Sequence, residues 1–127
     1  MRRKTLLYLS RQDVESTDLP MIEIINALED MFWEKGSART EMPPKLGIHP
    51  QPDAFLHAMP GYIPKIKAAG LKWVSAFPDN PKIGLPYIGG LIILNNPETG
   101  SPLAVMDATW ITAKRTGAAT AIAAKYL

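Results

Sequence analysis

Ile88-Gly-Gly-Leu-Ile-Ile-Leu-Asn95-Asn-Pro-Glu-Thr-Gly100-Ser-Pro-Leu103-Ala-Val-Met-Asp107 sets two apolar runs on either side of a short polar break. The runs, Ile88 to Asn95 and Leu103 to Asp107, are short and rich in branched side chains, so they read as strands. Asn96-Pro97-Glu98-Thr99-Gly100 supplies the residues that favour a reversal, which makes the pair a hairpin. Upstream, Leu71 to Phe77 and Ala54 to Met59 are further strand candidates, and Thr5 to Leu9 is a short one near the start. The middle of the chain is a sheet.

Helices lie on both sides of it. Ser10 with Asp13 three residues on predicts a capped turn of helix. A longer helix follows, with Asp18 near its start, Pro20 in its first turn and a stop at Gly36; Met21, Ile24, Ile25, Leu28, Met31 and Phe32 recur at helical spacing, so this face is expected to be core. Arg39 to Pro52, with Pro43-Pro44-Lys45, reads as extended or looping. From Ala108 to Leu127 the chain is a small-residue helix with Asp107 available as its cap, a composition that packs close to a neighbour. It reaches Lys125-Tyr126-Leu127 without Gly, Asn or Pro, so it is expected to be cut in mid-course and the chain to be part of a longer protein. The fold class is α+β.

Composition narrows the function. At 127 residues, 46% hydrophobic and 20% charged, the chain suits one globular domain with a real core. The net charge of +2 is spread without a basic stripe, which argues against nucleic acid as a partner. With no cysteine there is neither disulfide nor thiolate nucleophile, and a zinc site would rest on His49 and His57 alone, eight apart; no metal is expected. Met-Arg-Arg-Lys precedes an apolar stretch too short for a signal sequence or a membrane span, so a cytoplasmic protein is expected.

The chemistry lies in three cations. Lys72 stands inside an apolar run, where a charge buried without a partner is costly. Lys45 follows a double proline, and Arg115 sits in an otherwise apolar and small-residue helix before Thr116-Gly117. Two or three cations converging on a pocket suit a small carboxylate or phosphate. Each also admits an ordinary role: Lys45 as a solvated loop residue, Lys72 extending its head to water, Arg115 tying its helix to a carboxylate such as Asp107. Asp79-Asn80-Pro81 is a turn former, and Met42, Met59 and Met106 are core filling. Gly84, Gly89 and Gly90 make no dinucleotide fingerprint, and no nucleophile elbow is present.

As a set, Met59-Pro60-Gly61-Tyr62, Ala69 to Ser75, Phe77 to Pro81, Gly84-Leu85-Pro86, Asn95 to Gly100, Asp107-Ala108-Thr109 and Arg115 to Ala119 resemble the amino-terminal half of the ornithine cyclodeaminase/μ-crystallin family. The resemblance covers essentially the whole chain and is clearest from Met59 onward. It implies a mixed sheet with flanking helices in a two-domain protein. Residues 1–107 would form a substrate-binding and dimerisation domain, and 108–127 would begin the helix leading to a Rossmann NAD(P) domain that this chain lacks.

The resemblance also assigns roles. Lys72 matches the catalytic lysine, and Lys45, Lys72 and Arg115 are implied substrate-binding residues. The position of Lys45 is commonly an arginine that grips the substrate carboxylate; lysine keeps the charge and loses the bidentate fork. Tyr87, Arg115 and Thr116 are implied cofactor contacts, Tyr87 falling where relatives often have threonine. The implied activity is NAD- or NADP-dependent hydride transfer at the α-carbon of an amino acid or its open or cyclic imine, as in ornithine cyclodeaminase, alanine dehydrogenase or a ketimine reductase. This segment alone would be inactive, and the parent a homodimer. A non-catalytic ligand-binding protein of the crystallin type and a dimerisation module are the competing readings.

Overall fold

The computed structural model describes residues 5–127. In chain order these form β1 (Leu7–Leu9), α1 (Arg11–Glu15), α2 (Met21–Gly36), β2 (Leu46–Ile48), β3 (Phe55–Ile63), β4 (Ala68–Ala76), β5 (Ile88–Asn95), β6 (Pro102–Asp107) and α3 (Thr109–Tyr126). One six-stranded sheet takes the order β1-β6-β5-β4-β3-β2. Its inner ladders are antiparallel, and β1 joins β6 in parallel, so the sheet is mixed. A parallel pair needs a long crossover, and here everything from α1 to β5 supplies it. The opening Met-Arg-Arg-Lys lies outside the described residues. No helix among the described residues is long and apolar enough to cross a membrane.

The anticipated strands are present, with shifted ends. β4 begins three residues before Leu71 and stops at Ala76, and β3 runs past Met59 through Pro60 and Gly61. Proline is tolerated there because the outer edge of β3 has no ladder between β2 and a single bridge pairing Glu41 with Tyr62. Those two pairings bracket Pro43-Pro44-Lys45 and hold it along β3. The Arg39 to Pro52 stretch is therefore more ordered than expected. β2 also depends on Gly47, where a Cβ would lie 2.3 Å from the His57 ring.

The helices begin largely as read. Ser10 accepts from the Asp13 amide while the Asp13 carboxylate accepts from Ser10, which closes a capping box and holds that carboxyl below the usual range. Pro20 is itself the N-cap of α2, not a first-turn residue, and Asp18, at φ 47°, provides no cap. The N-cap of α3 is Ala108 and not Asp107, which lies one residue before it and accepts from the Thr109 amide at 2.9 Å. Asn80–Ile83 and Pro64–Ile66 are single 3₁₀ turns, so Asp79-Asn80-Pro81 is a turn as expected.

The core is thinner than expected. Its buried members are mostly alanines, Ala54, Ala76, Ala104, Ala108 and Ala118, joined by Val14, Val74 and Ile122. The accessible surface is 9044 Å², where a compact monomer of this length exposes roughly 6,700 Å². The apolar face of α2 is a particular correction. Ile24, Ile25, Leu28 and Met31 are only half-buried, Met21 and Phe32 are exposed, and the buried residue of α2 is Glu34. The cause is placement, because α2 packs chiefly on α3 and leaves part of its stripe uncovered.

Register separates the two faces of the sheet. Met59, Lys72, Ile92, Met106 and Leu9 align across β3, β4, β5, β6 and β1 on the face that meets the helices. The opposite face presents Tyr8, Leu46, Ile48, Trp73 and Leu91, all exposed.

Candidate functional site

On the helix-bearing face, a cleft of about 550 Å³ opens between β3, β4, β5 and the first turns of α3. Its walls bring together Lys45, Lys72 and Arg115, three residues far apart in sequence. β4 supplies Lys72, directly opposite Met59 and Ile92 in the ladder. The bracketed proline segment supplies Lys45, and α3 supplies Arg115. Met42, Met59, Ile92 and Ile111 make the apolar lining around the half-buried Lys72, while Lys45 and Arg115 are exposed.

Lys72 is half-buried, and its ammonium donates to the Thr112 hydroxyl at 3.5 Å. Burial, first, and then the charges of Arg115 and Lys45 hold its pKa below the ordinary lysine value. Lys45 also acts on His57, whose pKa is lowered by burial, by Lys45 and by His49. The two histidines meet edge to face at 6.3 Å, and His57 stacks on Phe55, an aromatic cluster at the end of the sheet.

The depressed lysine has a pH signature. In the unfolded chain Lys72 regains the ordinary value, so between the two values the unfolded state binds more protons. The charged form therefore weakens folding at lower pH, and that penalty disappears as pH rises toward the ordinary lysine range. Partial exposure keeps the effect on stability small. Titration of Lys72 by ¹⁵N NMR in the full-length protein is expected to give a midpoint below that of free lysine, and Arg115→Met is expected to move it back up. An unshifted midpoint would contradict the geometry.

The alternative role for Arg115 is not realised. Asp107 is engaged with the backbone amide and hydroxyl of Thr109, and Arg115 has no acid partner among the described residues. Thr116 is next to it, exposed, with its hydroxyl donating to the Thr112 carbonyl at 2.8 Å. Tyr87 lies outside the cleft lining, exposed at the end of the loop that begins at Phe77, whose amide it binds through its own carbonyl.

Two lining residues were missed. Thr112 lies three before Arg115, so helical spacing alone puts both on one face and could have found it. Lys35, in the last turn of α2, had no such signal, because a lysine there suits the helix dipole without further purpose.

The family model described as the ornithine cyclodeaminase/mu-crystallin family matches residues 4–127. The chain belongs to that family. Within it, the nodulation efficiency protein NfeD of Rhizobium meliloti is 48% identical over 120 residues, which are 94% of this chain and 38% of that protein. An archaeal alanine dehydrogenase, solved as a dimer with bound NAD, is 48% identical with a TM-score of 0.89 over 96% of this chain and 37% of its own. The Delta(1)-pyrroline-2-carboxylate reductase of Thermococcus litoralis, solved with NADH and L-proline, is 41% identical with a TM-score of 0.92, covering 96% and 38%. The chain thus spans under two-fifths of the length of these family members. The family is one of NAD(P)-dependent amino acid dehydrogenase and cyclodeaminase-like enzymes.

A phosphate-cradling glycine turn at a helix start is absent among the described residues, whereas Arg115, Lys45 and the apolar lining suit a small carboxylate.

Proposed function

We propose that this chain is the substrate-binding half of a cytoplasmic NAD(P)-dependent oxidoreductase that acts on an α-amino acid or its imine, cyclic or open. The observation that carries this reading is the convergence of Lys45, Lys72 and Arg115 on one cleft with an apolar lining. Arg115 offers a planar fork to the substrate carboxylate, and Lys45 adds a point charge from the opposite wall. Fixing the carboxylate fixes the α-carbon, which supplies the proximity that free reactants lack.

Lys72 then handles the proton. A lysine with a lowered pKa is neutral in a larger fraction of molecules, so its amine can take a proton from the substrate ammonium before hydride loss, or from a water that attacks the imine, and return a proton to the imine nitrogen in the reverse direction. Thr112 steers that amine by accepting from it. When bound, a nicotinamide would supply the hydride acceptor or donor. Arg115 and Thr116 on α3, and Tyr87 from the loop before β5, would be this chain's contacts to it. By itself this segment has no turnover. A ligand-binding protein would need the clamp but not the desolvated lysine, which favours the enzyme.

The open sheet face belongs to a homodimer in this reading, residues 1–107 carrying the dimer surface and most of the substrate cleft, which α3 completes with Thr112 and Arg115. Trp73→Glu combined with Leu91→Lys is expected to leave the full-length protein monomeric by light scattering, since both exposed side chains lie on that face. A dimer that survives both changes would place the interface elsewhere. The activity itself is tested by screening the full-length protein against amino acids and cyclic imines with each nicotinamide cofactor.

A further inference from the structure

The cleft holds a fourth cation, Lys35, and no acid: among its lining residues four carry positive charge and none negative. Lys35 has no ion-pair partner among the described residues. Its neighbour Glu34 is taken by the Arg39 guanidinium at 2.8 and 3.0 Å and by Lys65 at 3.9 Å. The charges that act on Lys72 are those of Arg115 and Lys45, and Lys35 is not one of them, which sets it apart from the trio within the same cleft.

One substrate carboxylate answers Arg115 and Lys45 and leaves Lys35 facing the cleft uncompensated. A substrate with a distal amine would bring a further cation to a space whose lining has no acid for it. A second carboxylate meets the exposed Lys35 ammonium and balances the charge of the cleft.

We propose that Lys35 is a specificity-determining residue that receives a distal anionic group, so that the site takes α-amino or α-imino dicarboxylates in preference to their monocarboxylate analogues. This rests on the reading of the cleft as an α-amino or α-imino acid site. Lys35 acts by binding the end of the substrate remote from the reacting carbon.

The test compares succinate with propionate as binding probes of the full-length protein by calorimetry, alongside cofactor-linked turnover of oxaloacetate and pyruvate with ammonia. Wild type is expected to bind succinate at least tenfold more tightly than propionate. Lys35→Gln is expected to bring that ratio close to one, and Lys35→Arg to retain most of it. In turnover, the kcat/KM ratio of the dicarboxylate to the monocarboxylate should fall by a similar factor in Lys35→Gln, chiefly through KM. A wild-type ratio near one, or a ratio that Lys35→Gln leaves intact, overturns the proposal. Turnover with a ratio indifferent to Lys35 sinks this proposal alone. A Lys35-dependent succinate preference without any turnover supports the anion site and sinks the oxidoreductase reading instead.

Discussion

Lys72→Ala in the full-length protein is expected to lower kcat by about 10³-fold, the scale of a lost general acid–base group. The argument is positional. Lys72 is the cation at the floor of the cleft, in register with Met59 and Ile92 and steered by Thr112, while Arg115 and Lys45 remain to hold a carboxylate. KM should therefore change much less than kcat. The fold should not suffer, because the substitution removes a half-buried charge that two neighbouring cations repel. A thermal midpoint equal to or above wild type, together with the loss of turnover, is the expected pair of results. Near wild-type turnover would show that the proton is handled elsewhere.

Gly90→Ala is expected to be the most damaging change to the fold, costing about 3 kcal/mol or more from a strained backbone and a collision that cannot relax. Gly90 has φ 151°, and a Cβ there would lie 2.3 Å from the Trp73 carbonyl oxygen and 2.9 Å from the Val74 Cα, both backbone atoms of β4. The Gly90 carbonyl also accepts from the Ala108 amide at 2.9 Å, at the start of α3. Displacing it moves the helix that carries Thr112 and Arg115, so any folded remainder should also bind carboxylates poorly. Gly36→Ala is the control, since nothing lies within 4 Å of its Cβ position. The denaturant midpoints of the two variants check this. A Gly90→Ala midpoint close to wild type would mean that β4 and β5 are less closely apposed.

Much of the sheet was legible because its strands are apolar, branched and punctuated by turn formers. Ile88–Asn95 was bounded correctly, since Tyr87 precedes the run and Asn96-Pro97 ends it. Ala68, Ala69 and Gly70 lack strand preference, so the sequence pattern starts β4 at Leu71, yet the ladders to β3 and β5 recruit them. β2 was hidden in a proline-rich stretch, where three residues are too few to show a period. The exposed side of α2 was illegible for a different reason: helical spacing identifies an apolar face but not what covers it.

The site followed the same division. Lys45, Lys72 and Arg115 each carried a local signal, a cation in an unusual apolar or proline-rich setting. Their convergence depends on the bridge at Glu41, the β3 to β4 ladder and the docking of α3, none of which a local pattern encodes. Lys35 had no signal because a lysine at a helix end is ordinary, and only the cleft makes it unusual.

Hydride transfer at the α-carbon of an α-amino or α-imino acid is the chemistry proposed for this cleft. The most direct measurement is the turnover of the full-length protein with amino acids carrying deuterium at the α-carbon, in the presence of NAD or NADP. The account predicts cofactor-dependent turnover with a primary isotope effect, lost in Lys72→Ala. Cofactor-independent turnover, or no turnover of any amino or imino acid, would contradict it.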